Sequence, residues 1–190
     1  MIPNVKGRAY RSAWKSHKEE WSNCTKCPLH EFSHHRVLVS GTLPCNILFI
    51  GDAPNRIEDV AGLPFLGPRA SIIHQMIKDV TVEFTYAMTN LIGCVAFDKD
   101  EVCRPPADSE VDSCKGRVSD TLMMAKPLGI VALETDMEDY LDTILKSYKF
   151  PYALLHLFPL ASILSQGGIG CDTYRIESDR LNNFIEEVVK

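Results

Sequence analysis

The 190-residue chain has no run approaching the roughly 18 consecutive apolar residues that a membrane-spanning helix needs. Its first twenty residues carry Lys6, Arg8, Arg11, Lys15 and Lys18 among polar neighbours, with none of the apolar core of a secretion signal. These absences argue against a membrane partner and point to the cytoplasm. A surplus of positive charge is missing as well: 20 Lys and Arg stand against 25 Asp and Glu, a net charge of −5. Nucleic-acid binding by bulk charge is therefore not expected, and any such contact needs a local feature such as the N-terminal Lys/Arg group. Repeats, linkers and low-complexity tracts are also absent. With 45% hydrophobic residues there is enough apolar material for a sizeable core, so one domain over 1–190, acting as a monomer, is expected.

What is abundant is cysteine. Seven thiols, at positions 24, 27, 45, 94, 103, 114 and 171, are many for a reduced compartment, and an odd number fits a disulfide framework poorly. Metal or cluster ligation is the better expectation. Cys24 and Cys27 form a CxxC that precedes every apolar run, whereas a redox pair would follow a first strand. Two further thiolates must then come from downstream, where Cys94, Cys103 and Cys114 compete. Zinc, or plain buried thiols, remain alternatives on spacing alone.

Four short apolar runs, 46–51, 86–94, 128–134 and 152–158, read as buried strands. Helix-like patterns cover 69–80, 108–126, 136–148 and 177–189, with another near 8–21 ahead of the CxxC. Strand and helix alternate, which predicts an α/β fold: three layers, α/β/α, around a mostly parallel four-stranded sheet. An N-terminal helix and CxxC arm, about 1–30, packs against it. Ligands of such sheets sit beyond the carboxyl ends of the strands. There the chain carries Gly51-Asp52-Ala53-Pro54, Thr89-Asn90, Glu134 and His156-Leu157-Phe158-Pro159.

Cys24-x-x-Cys27-Pro28-Leu29-His30, Leu48-Phe49-Ile50-Gly51-Asp52-Ala53-Pro54 with Glu58-Asp59, Gly62-Leu63-Pro64-Phe65-Leu66-Gly67 and Thr89-Asn90-x-x-x-Cys94 follow in order. Together they resemble the family 4 uracil-DNA glycosylases, the iron-sulfur branch of that superfamily, over most of the chain. The resemblance implies a 4Fe-4S cluster on Cys24, Cys27, Cys94 and Cys114, leaving Cys103 as a spare thiol. It implies DNA containing uracil, or another flipped base, as the partner. Asp52 would orient the attacking water, Phe65 would stack on the base, Asn90 would read its edge, and backbone at Ala53 and Asn55 would line the pocket.

The departures from the family are as informative. Asp52 stands where Glu is usual, and Asn55 where a Gly is usual, so close approach of that loop calls for a positive φ. The family's His-Pro motif, whose histidine meets the charge on the departing uracil, aligns with Phe158 or Pro159, and its following Arg with Ser165. His156, two residues before Phe158 on an expected strand, is the candidate substitute. The resemblance implies a DNA repair hydrolase. Its alternatives are a catalytically weak, DNA-binding or replication-associated relative, or a glycosylase for a modified base.

Overall fold

A computed structural model describes residues 3–100, 102–134, 137–146 and 151–190. The strands are β1 (Asn4–Val5), β2 (Ser40–Leu43), β3 (Ile47–Gly51), β4 (Tyr86–Asn90), β5 (Gly129–Ala132) and β6 (Ala153–His156). The helices are α1 (Arg8–Trp21), α2 (Arg56–Ala61), α3 (Pro68–Asp79), α4 (Asp108–Ala125), α5 (Glu138–Leu145), α6 (Leu160–Ser165) and α7 (Asp172–Val189). Among the described residues no helix is long and apolar enough to cross a membrane.

The sheet runs β1-β2-β4-β3-β5-β6, and its pairs are parallel except β2 with β4. The α/β expectation holds, with a correction: the sheet has six strands rather than four. The two unforeseen strands lie on one side, β1 with two residues and β2 with the sequence Ser-Gly-Thr-Leu. Neither is long or apolar enough to stand out as a run. β3 shows the opposite case. All five of its residues are buried, with Ile47 and Phe49 in one core and Leu48 and Ile50 in the other. A strand covered on both faces must read as a continuous apolar run.

One core packs the sheet against α4 and α5 through Val118, Leu122, Leu141 and Ile144. The other packs it against α3, α6 and α7 through Ile73, Met76, Ile163, Leu181 and Ile185. Burying each such side chain is worth roughly 1.5–3 kcal/mol, so the middle layer is the rigid part on which the strand ends are mounted. Two helices were not anticipated, α2 and α6, each six residues long, and α7 begins at Asp172 instead of 177. Residues 136 and 147–148 of the expected helix 136–148 lie outside the described residues.

β4 ends at Asn90 rather than 94. Beyond it, Leu91 N donates to Gly51 O at 2.8 Å and Ile92 N to Asp52 O at 3.1 Å, so residues 91–94 run beside the exit of β3. This carries Cys94 toward α4 and the N-terminal arm. α1 packs on α4, where Trp21 Nε1 donates to Asp120 at 2.8 Å, and displays Arg8, Arg11, Lys15 and Lys18 to solvent.

Candidate active site

At the carboxyl edge of the sheet, where β3 has neighbours on both sides, Gly51, Asp52, Phe65, Asn90, Leu133 and Glu134 line an inner cavity of about 30 Å³. Asp52, Ala53, Arg69 and Glu134 also line an outer cavity of about 380 Å³, bounded by Arg104, Tyr140 and Pro159. These four residues form the wall between the two.

The hub of the inner cavity is Glu58. Asn55 is extended (φ −88°, ψ 177°) and caps α2, its Oδ1 accepting from Ile57 N at 2.8 Å and Glu58 N at 3.1 Å. Glu58 completes the capping box by accepting from Asn55 N at 3.3 Å. The same carboxylate accepts from Asn55 Nδ2 at 3.0 Å, Leu66 N at 3.1 Å and Asn90 Nδ2 at 3.3 Å. Burial pushes the Glu58 carboxyl up, against the opposing pull of the hydrogen bonds from Leu66, Asn55 and Asn90 and then of the Arg69 charge. A motif that starts a helix thus also orients the Asn90 side chain. An ionised carboxylate only accepts, so the amide presents its NH2 to Glu58 and keeps Oδ1 and one N–H for another partner.

Phe65 sits in the left-handed region (φ 60°), a conformation that costs a side chain of this size on the order of 1 kcal/mol or more. Its surroundings hold it there: His74 Nε2 lies 3.0 Å from its carbonyl, the next amide is bound to Glu58, and the ring is buried. Gly51 makes the close approach possible. A Cβ at that position would stand 2.5 Å from Asn90 Oδ1 and 3.2 Å from Phe65 Cζ. Asp52, half-buried, accepts from Ala53 N at 2.7 Å and faces both cavities.

Two arginines reach the outer cavity. Arg104 is engaged by Glu110 through contacts of 2.6 and 2.9 Å, which hold the Glu110 carboxyl below its usual range. Arg69, half-buried at the start of α3, lines both cavities and makes no ion pair among the described residues.

A second constellation lies on the other side of β4. Cys24, Cys27, Cys94 and Cys114 line one recess with Arg36, Gly93 and Arg117. Burial raises the Cys27 thiol and pushes Cys94 up to about 11. Among the described residues no three His, Cys, Asp or Glu side chains are arranged to hold a single metal ion. Cys103 is exposed, pairs with Phe97 through an isolated bridge and lines the outer cavity instead.

Residues 40–167 match the profile of the uracil DNA glycosylase superfamily. The chain belongs to that superfamily. It is 30% identical over 112 residues to the type-4 uracil-DNA glycosylase of Pyrobaculum aerophilum, covering 58% of this chain and 55% of the relative. It is 31% identical over 116 residues to the enzyme of the same name from Archaeoglobus fulgidus (60% and 56%), and 29% over 126 residues to that of Sulfurisphaera tokodaii (65% and 56%). The chain spans about half the length of the curated relatives it matches.

Against this superfamily background, the expected pocket residues Asp52, Ala53, Asn55, Phe65 and Asn90 are brought together around one cavity. Asn55 needs no positive φ, because it serves as a cap rather than as a glycine-like close approach. His156 is not brought there. β6 stops at this residue, and Leu154, two positions earlier, packs on the α4–α5 side, so His156 shares that face. Asn90 follows Met88 on the opposite face, and of the stretch after β6 Pro159 lines the outer cavity and Leu160 the inner one. Sequence reasoning also missed Glu58 and Arg69. Asn55-x-x-Glu58 is a readable capping signature, whereas nothing local marked Arg69 as other than a surface helix charge.

Proposed function

We propose that this chain is a uracil-DNA glycosylase that takes a flipped uracil from DNA into the inner cavity and hydrolyses its N-glycosidic bond. The observation that carries this reading is the buried hydrogen bond from Asn90 to Glu58, on a floor made by Phe65, in a chain of this superfamily. With one N–H committed to Glu58, Asn90 offers Oδ1 to the N3–H of uracil and its second N–H to O4. Cytosine presents the reverse pattern and leaves buried groups unpaired, a strong basis for rejection. The inner cavity is smaller than a pyrimidine, so entry of the base requires Arg69 and Glu134, the walls shared with the outer cavity, to move aside.

In the reaction the C1′–N1 bond breaks and its electron pair stays on uracil N1. Water adds its oxygen to C1′ and gives a proton to the Asp52 carboxylate, leaving an abasic site and a uracil anion. Asp52 sits at the junction of the two cavities, where it would hold such a water against the face of C1′ opposite the departing base. The anion needs a donor, and with His156 on the other face Arg69 takes that part, as a cation lining both cavities without an ion pair among the described residues.

Cys24, Cys27, Cys94 and Cys114 would hold a 4Fe-4S cluster. Four soft thiols on one recess, beside a buried guanidinium nitrogen that has no hydrogen-bond partner, fit an anionic cluster better than a core of plain thiols. When bound it supplies a cross-link between the N-terminal arm, β4 and α4, within a single domain.

Uracil release from single-stranded and duplex DNA tests the reading: wild type cleaves and Asn90→Ala does not. The expected alignment of Phe158 or Pro159 with the family's motif histidine, with Pro159 lining the outer cavity, favours a second reading, a DNA-binding relative with little cleavage. Binding of uracil DNA without any release by wild type would select it.

A further inference from the structure

Arg117 lies one turn after Cys114 on α4 and is 2% exposed, the largest of the fully buried side chains. Its Nη1 donates to Thr89 Oγ1 at 3.0 Å, and Nη2 donates to the carbonyls of Asn90 and Leu91, the latter at 3.1 Å. Its Nε is buried without a hydrogen-bond partner, and among the described residues no carboxylate pairs with it. The side chain lines the recess of Cys24, Cys27, Cys94 and Cys114. Gly93, beside Cys94, leaves room for it, since a Cβ there would stand 3.2 Å from Nε.

A guanidinium cannot shed its charge by deprotonating, and an unmatched charge in a protein interior is strongly unfavourable. Its partners, the Thr89 hydroxyl and the Asn90 and Leu91 carbonyls, are neutral oxygens, which solvate the charge without balancing it. Neutral thiols would not balance it either. Four thiolates around an iron-sulfur core outweigh the positive charge of that core, and the assembly is anionic.

We propose that Arg117 is the counter-charge of the cysteine-held cluster and, through its hydrogen bonds to the end of β4, ties the presence of the cluster to the position of Asn90. Arg117 is thus a positioning residue: one end faces the cysteine recess and the other holds the backbone of the base-reading residue. The proposal rests on the cluster reading given above.

The test compares anaerobically purified full-length wild type, Arg117→Gln and Arg117→Lys for iron per chain, reduction potential by voltammetry and affinity for uracil-containing single-stranded DNA. Arg117→Gln is expected either to lose iron or to keep it with a more negative reduction potential, because loss of a nearby positive charge disfavours the added electron. Arg117→Lys is expected to keep iron and a near-native potential yet bind uracil DNA more weakly, since one ammonium cannot hold the Asn90 and Leu91 carbonyls as the fork does. Wild-type iron and potential in Arg117→Gln overturn the proposal, as does complete iron loss in folded Arg117→Lys. If Arg117→Gln fails to fold, Arg117→Lys decides: iron retained with weaker binding of uracil DNA supports the proposal, and complete iron loss or wild-type DNA binding overturns it. Wild type devoid of iron sinks the cluster reading itself, whereas iron-loaded wild type with an indifferent Arg117→Gln sinks only the role of Arg117.

Discussion

Replacing Gly51 with Ala adds one carbon at the closest point of the site. That carbon would lie 2.5 Å from Asn90 Oδ1 and 3.2 Å from Phe65 Cζ. An ordinary C···O approach is about 3.3 Å, so the amide must retreat by roughly 0.8 Å. The Asn90–Glu58 hydrogen bond, already 3.3 Å long, does not survive that displacement. Misplacing a reactive group by about 1 Å costs on the order of a hundredfold in rate. Overpacking costs about 1–3 kcal/mol of stability, or some 2–4 °C of melting temperature per kcal/mol in a chain of this size. Gly51 does not have a positive φ, so Ala adds no backbone strain. Single-turnover excision from a uracil-containing oligonucleotide, measured beside the melting curve and iron content, should show a loss near a hundredfold with iron unchanged. A folded Gly51→Ala protein with wild-type excision would refute the placement of Asn90 and Phe65 over the base.

Arg69→Met should lower the chemical step by about a hundredfold to a thousandfold in single-turnover assays while leaving DNA affinity within a few fold, the usual effect of losing one donor to a developing anion; an unchanged rate would remove Arg69 from the mechanism. Cys94→Ser should lose iron and Cys103→Ser should keep it, since only Cys94 shares the recess with Cys24, Cys27 and Cys114. Because burial raises the Glu58 carboxyl, acidification protonates it above the usual glutamate range and lets it donate, loosening the fixed orientation of Asn90. The acid limb of excision should therefore be shifted in Glu58→Gln. The sign for stability is opposite: a raised folded value contributes stability that is full below the unfolded value and is lost as pH rises through the folded one, so the difference in melting temperature between Glu58→Gln and wild type should change across that window.

The middle strands were legible because β3, β4 and β5 are buried on both faces and so read as apolar runs. β1 and β2 were not, since two residues and a Ser-Gly-Thr-Leu segment carry no periodicity to read. Around the site, Asp52 and Asn90 could be singled out as strand-end residues, whereas Phe65 and the roles of all three came from the resemblance to the family. Glu58 was written in the sequence as a capping box, but its reach to Asn90, 32 positions away, is a product of packing. His156 misled for a related reason. Period-two reasoning works only while the strand lasts, and β6 ends at that residue, so its assumed kinship with Phe158 dissolves. Arg117 offers the same lesson, because a charge in a helix looks solvent-facing until the sheet and the cysteine recess close over it.

Excision of uracil in the Asn90–Glu58–Phe65 cavity is tested by abasic-site formation with wild type and Asn90→Ala on matched oligonucleotides carrying uracil, cytosine or thymine at one position. Wild type should release base from the uracil strand alone, and Asn90→Ala from none. No release by wild type at high protein concentration over long incubation, or equal release by Asn90→Ala, would contradict it.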